Sequence, residues 1–131
     1  MIYLYVGLGG ILGSLTRYLL SMFGTYLWGR NFPIGTMIIN LTGAFILGFL
    51  TNKLAKTKER NPQLFTALTT GVIGSYTTFS TFCVETIRLL EVNQYLYALL
   101  YFILSAIGGL YFVHLGLKVG VIGRKKEGNV S

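Results

Sequence analysis

Aspartate is absent from this chain, and its only carboxylate side chains are the glutamates at positions 59, 85, 91 and 127. Charge of either sign is scarce. Only 11% of the 131 residues are Asp, Glu, Lys or Arg, less than half of the roughly 25% that a soluble domain carries. That excludes a water-facing surface over most of the molecule. A single cysteine, Cys83, excludes an internal disulfide and reads as a small apolar packing residue. A single histidine, His114, has no second histidine and no carboxylate at ligand spacing, which argues against a zinc-type centre. No Gly-Lys-Ser/Thr phosphate loop occurs, and no nucleophile stands beside a base. An enzyme is therefore not expected.

What fills the chain instead is apolar: 53% of residues are hydrophobic and 15% aromatic. Four runs, at about 2–23, 32–52, 63–85 and 92–117, hold no charge beyond Arg17 in the first and Glu85 at the end of the third. Each reaches the roughly 20 residues that a helix needs to cross about 30 Å of hydrocarbon. The expectation is an all-α integral membrane protein of four transmembrane helices. It is a single unit over 1–131, with no separate soluble domain and a disordered tail at 118–131. The first run lacks a basic start and a small-x-small cleavage site and carries Arg17, so it reads as a true span.

The net charge of +7 is unevenly placed. Lys53, Lys56, Lys58 and Arg60 follow the second run, and Lys118, Arg124, Lys125 and Lys126 follow the fourth. Only Arg30 and Arg88 fall on the opposite side. The positive-inside rule then puts both termini in the cytoplasm of a multi-pass protein of the cell membrane. The basic clusters read as topology signals and contacts to anionic membrane lipid, and no nucleic-acid partner is expected.

Within the runs, Gly9 and Gly13 form a small-xxx-small pair suited to close helix packing. Arg17 falls past mid-depth, where a guanidinium is paired or faces water or a bound ion, unless it snorkels to the interface. Tyr26 and Trp28 suit a membrane-water interface, and Pro33 the first turn of the second helix. Thr36, Asn40 and Gly43 share one stripe. The Asn40 amide, near mid-span, requires a hydrogen-bond partner, whether a neighbouring helix or the contents of a pore. Tyr97, Tyr101, Ser105 and Gly109 recur every four residues, as a wet face or a close helix contact. Glu85 either brackets an opening or pairs with Arg88 three residues on, the second being the simpler reading.

The stretch GVIGSYTTFSTF, residues 71–82, is the least helix-like part of the third run. Gly71, Gly74, Ser75, Thr77 and Thr78 are poor helix formers. They predict either a break around 74–77 or a kinked helix whose Phe79 and Phe82, one turn apart on one face, pack in lipid. A break would free carbonyl oxygens for a cation and present a helix N-terminus to an anion. Such backbone is tolerated at membrane depth only where protein buries it or it lines a watery cavity.

GSYTTFSTF, with GTMIINLTGAFILG and GGILGSLTRY before it, resembles the fluoride-specific ion channel family (Fluc, also called CrcB), over nearly the whole chain. The resemblance implies an antiparallel, dual-topology dimer with two narrow pores and a third helix broken near its centre. It implies a structural, non-transported sodium ion at the dimer seam, held by the main-chain carbonyls of Gly74 and Thr77. It maps Phe79, Phe82 and Asn40 onto the pore lining, Tyr101 and Ser105 onto a polar track, and Arg17 and Glu85 onto vestibule or structural positions. Gly109 stands where a serine often occurs, and Ser75 and Tyr76 replace residues commonly glycine and apolar.

The chemistry of that implication is coherent. Fluoride is small and strongly hydrated, so a path must replace its water with donors, for which the hydroxyls of Thr78, Ser80, Thr81, Ser105 and Tyr101 and the Asn40 amide qualify. Phenyl edges are electropositive and can touch an anion. The expected task is to let cytoplasmic fluoride leave down its gradient. A homodimer inserted both ways should have balanced loop charges, and eight against two is not balanced. The bias points to a homologous sister subunit as partner, or to a structural subunit that does not itself form both pores. A small multidrug-type exporter, the remaining rival, needs a carboxylate in its first span, and there is none here.

Overall fold

A computed structural model describes residues 1–29 and 31–128, and over these the chain is helical almost throughout. Helix α1 (Ile2–Trp28) leads through a short link to α2 (Ile34–Lys53). Two short helices, α3 (Ala55–Arg60) and α4 (Pro62–Thr66), run into a π-helical segment (Ala67–Ile73) and one further turn, α5 (Gly74–Tyr76). The chain re-enters helix as α6 (Ser80–Glu91) and ends in α7 (Tyr95–Gly128). The α6–α7 turn is tight enough to put Asn93 at φ 60°, a left-handed conformation that asparagine tolerates better than most residues.

Among the described residues, three helices are long and apolar enough to cross a membrane: Ile2–Trp28, Ile34–Lys53 and Tyr95–Lys125. The chain is a membrane protein. The run expected as the third span, 63–85, is not one of these, because it is divided among α4, the π segment, α5 and α6. The polar stretch after α2 is more ordered than composition implies. There the Asn61 side chain accepts from the Leu64 backbone at 3.1 Å, and Pro62 opens α4, a capped helix start.

The tail expected to be disordered from 118 continues α7 as helix to Gly128. The cause is tertiary. A β-carbon on Gly120 would meet the Phe49 carbonyl oxygen at 2.5 Å, and Gly123 lies beside the Lys53 side chain, so the end of α2 supports the extension. Residues 129–131 of that tail, and Arg30 among the outer charges, lie outside the described residues.

Small residues set how the helices meet. On α1 the buried positions are Gly9, Gly13 and Gly24, while Leu4, Leu8, Leu12, Leu15 and Leu19 are exposed, as suits a helix whose outer solvent is lipid. Gly9 and Gly13 press α1 against the π segment, where a β-carbon would run into the Ala67 and Val72 carbonyls. Helix α2 packs mainly on α7, with Gly48 against Val113 and Gly116 against Phe45 in the same backbone-to-backbone manner.

Candidate functional site

The interruption between α5 and α6 is the centre of the site. Thr77 is extended, with φ −78° and ψ 160°, and regular helix resumes only at Ser80. Helix α2 carries the residue that holds this segment. Asn40 donates from Nδ2 to the Thr78 carbonyl at 2.9 Å and accepts on Oδ1 from the Thr78 N–H at 2.8 Å. One amide therefore replaces both helical partners of a single peptide residue, which a buried backbone requires. Its second N–H is left over. Gly43, one turn along α2, lets the Thr77 methyl lie where a β-carbon would otherwise be.

The clamp has a consequence for the neighbouring carbonyls. In a continuous helix the Thr78 N–H would bond to the Gly74 carbonyl; here it goes to Asn40. Among the described residues no backbone N–H reaches the carbonyl oxygens of Gly74 or Thr77. The Thr77 oxygen is approached instead by Arg17 Nη1 at 3.5 Å. Arg17 is half-buried and does not snorkel free of the protein.

Three of the hydroxyls expected to face a pore turn toward one another. Thr78 Oγ1 accepts from the Thr81 N–H at 3.2 Å, bonds to Thr81 Oγ1 at 3.0 Å and lies 3.4 Å from Ser80 Oγ. This set caps the start of α6. Thr78 is buried, whereas Ser80 is exposed.

A cavity of about 490 Å³ opens beside the interruption. Asn40, Gly74, Thr77, Thr78, Phe79, Phe82 and Ser105 line it, and Arg17, Ser80, Thr81, Glu85 and Tyr101 do not. Ser105 Oγ is the one buried side-chain polar atom without a hydrogen-bond partner among the described residues. Phe79 is 78% exposed. Its ring centroid is 6.0 Å from that of Phe82, which lies 5.0 Å from Tyr101, and Tyr101 is 5.7 Å from Phe32. The four rings form a continuous ladder from the open cavity into the protein.

Tyr101 is fully buried, and its hydroxyl donates to Glu85 Oε2 at 2.8 Å. Thr36 donates to Glu85 Oε1 at 2.9 Å. Glu85 thus takes both its bonds across helices, and the expected pairing with Arg88 is not formed. Thr36, Glu85 and Arg88 face a second cavity of about 710 Å³, with Thr25, Asn31 and Gln94 also on its wall. The expected α7 stripe divides: Tyr101 is enclosed, whereas a β-carbon on Gly109 would meet nothing within 4 Å.

Sequence reasoning missed Phe32, whose place in the ladder depends on a partner 69 positions away, and the Tyr76 hydroxyl, which is 2.9 Å from Thr42 Oγ1. No local pattern marks either. It also missed the Gly116 and Gly120 contacts of α7, for which the four-residue spacing of small residues was an available signal.

The family described as CrcB-like protein, Camphor Resistance (CrcB), matches residues 4–117. The chain is similar to a Bacillus cereus protein named fluoride-specific ion channel FluC 1, 42% identical over 134 residues that cover 100% of this chain and 93% of the relative. A Bacillus anthracis protein of the same name is 43% identical, covering 97% and 93%. One from Staphylococcus aureus is 44% identical, covering 92% and 97%.

Proposed function

The chain belongs to the CrcB family, a family of ion channels and not of enzymes, and from that membership we propose that it is a fluoride-specific ion channel that drains cytoplasmic fluoride down its gradient. The likeness to named fluoride channels over essentially the full length carries the reading. The cavity beside the interruption supplies a means.

In this reading residues 62–91 together make a third crossing, its helix broken near the centre, between the crossings formed by α2 and α7. Both termini are cytoplasmic. An anion on the path leaves water for donors that the protein has not used internally. The second N–H of Asn40 and the partnerless hydroxyl of Ser105 are two, and both border the cavity. The ring edges of Phe79 and Phe82 add a weakly positive, dry wall. A larger halide fails on pore diameter. Farther along, the Thr36 and Tyr101 hydroxyl protons are held by Glu85. An anion passing from the larger cavity toward the ladder gains a donor when Glu85 releases one of them.

The subunit is one half of an antiparallel dimer. The exposure of Phe79 and the openness of the cavity it lines support a partner there. The carbonyls of Gly74 and Thr77, left without backbone donors, fit a structural sodium ion, since unwound main-chain oxygens are what such sites use. These carbonyls would hold such an ion at the seam with the partner subunit, where it would serve assembly and would not be transported. The charge bias of eight against two favours a homologous sister subunit of opposite bias as the partner, possession of both pores then depending on the pair.

Fluoride-electrode efflux from proteoliposomes, with chloride as control, tests the function. The expected result is fluoride efflux without chloride efflux, from this chain alone or with its sister subunit. Equal release of both halides would defeat the assignment, and efflux from the single chain would defeat the need for a sister subunit.

A further inference from the structure

Arg17 and the helix interruption meet at one atom. The Thr77 carbonyl oxygen is the one hydrogen-bond partner of the Arg17 side chain among the described residues, at 3.5 Å. The same oxygen lacks a backbone donor because Thr77 is extended and helix does not resume until Ser80. Asn40 does not relieve it, since both Asn40 contacts go to Thr78. Arg17 is therefore the side chain that compensates this oxygen.

The fold fixes the point on α1 from which the guanidinium reaches. Gly13 precedes Arg17 by one turn on the same face of α1, and a β-carbon on it would run into the Val72 carbonyl and lie 3.0 Å from the Tyr76 nitrogen. Helix α1 is thus held in backbone contact with the turn that leads into Thr77. The base of the Arg17 side chain therefore stays beside Thr77, and only rotation about its own side-chain bonds takes the guanidinium away.

A carbonyl oxygen has two lone pairs and can serve two positive groups. Two unit charges on one oxygen stand within about 6 Å of each other, where their repulsion in a protein interior changes an affinity by about ten-fold or more. We infer that Arg17 is an internal competitor for the cation site at the Gly74 and Thr77 carbonyls, occupying the Thr77 oxygen in the single subunit and weakening the grip of the assembled site on sodium. The inference rests on the sodium reading above. It assigns Arg17 a positioning role at the subunit seam. A subunit that has not met its partner then keeps its Thr77 carbonyl compensated, and the ion adds to an oxygen already served.

The test is a sodium titration of the purified dimer, paired with its sister subunit where one is required, in a background of a large organic cation. The readouts are melting temperature and dimer fraction. In the wild type both rise with sodium. Arg17→Met moves the half-effect concentration about ten-fold or more lower, and Arg17→Lys, which keeps the charge, stays close to wild type. Arg17→Gln serves for the same titration should the methionine variant fail to insert. An unchanged or higher half-effect concentration in the neutral variants overturns the role of Arg17 and leaves the sodium site standing. A flat titration in the wild type overturns the sodium site, and the inference with it.

Discussion

Helix α2 carries two asparagines, Asn40 and Asn52, and they do different work. Asn52 donates to the Leu117 carbonyl of α7 at 2.9 Å, beside the glycines where α2 and α7 lie in backbone contact. Both helices are continuous there, and the amide adds one bond to a seam already closed by packing. Asn40 faces the interruption and supplies both bonds of a peptide residue that no helix serves. The same side chain is an accessory where backbone satisfies itself and a structural necessity where it does not. The seam gives the molecule its rigidity, and the interruption gives it an opening.

The largest expected effect lies on the open side. Replacing both Phe79 and Phe82 by Ile abolishes fluoride efflux from liposomes while the melting temperature and helical circular dichroism stay near wild type. Normal conduction by the double variant would remove the phenylalanines from the mechanism. The asparagines come next. Asn40→Leu leaves two buried backbone groups of Thr78 unpaired, costing about 2–4 kcal/mol, and also suppresses efflux. Asn52→Leu loses one interhelical bond, worth about 1 kcal/mol, and conducts. Equal losses of stability in the two variants, measured by thermal or denaturant unfolding, would erase the contrast. Gly109→Ser is the mildest change. Its site is open space, so stability stays within about 0.5 kcal/mol of wild type, and a gain in efflux would mark that face of α7 as part of the path.

The contrast also explains what could be read from the sequence. Crossings by α1, α2 and α7 are legible because hydropathy alone sets them, and the CrcB motifs were legible as strings. The third run was less so: its hydropathy matched a span, but Gly71 and Gly74 lie where it passes through a π segment and a single turn. Glu85 shows where local rules fail. The three-residue spacing to Arg88 is a valid helix pairing, yet hydroxyls 49 and 16 positions away hold both oxygens. Thr78, Ser80 and Thr81 read from the sequence only as candidate pore donors, and their mutual bonds at the start of α6 are not visible there. A composition count cannot tell a hydroxyl that faces a cavity from one that caps a helix. Nor could the charged tail reveal that Gly120 and Gly123 seat it against the end of α2.

Helix α7 has 34 residues, about 51 Å at 1.5 Å per residue, well beyond the roughly 30 Å of hydrocarbon it has to traverse. Its excess forms a stiff stalk, with Lys125 some 10 Å past Lys118. Lys125→Cys in a Cys83→Ser background puts a single thiol on that stalk. The fraction reached by a membrane-impermeant reagent in sealed vesicles then becomes a head count of subunits facing each way.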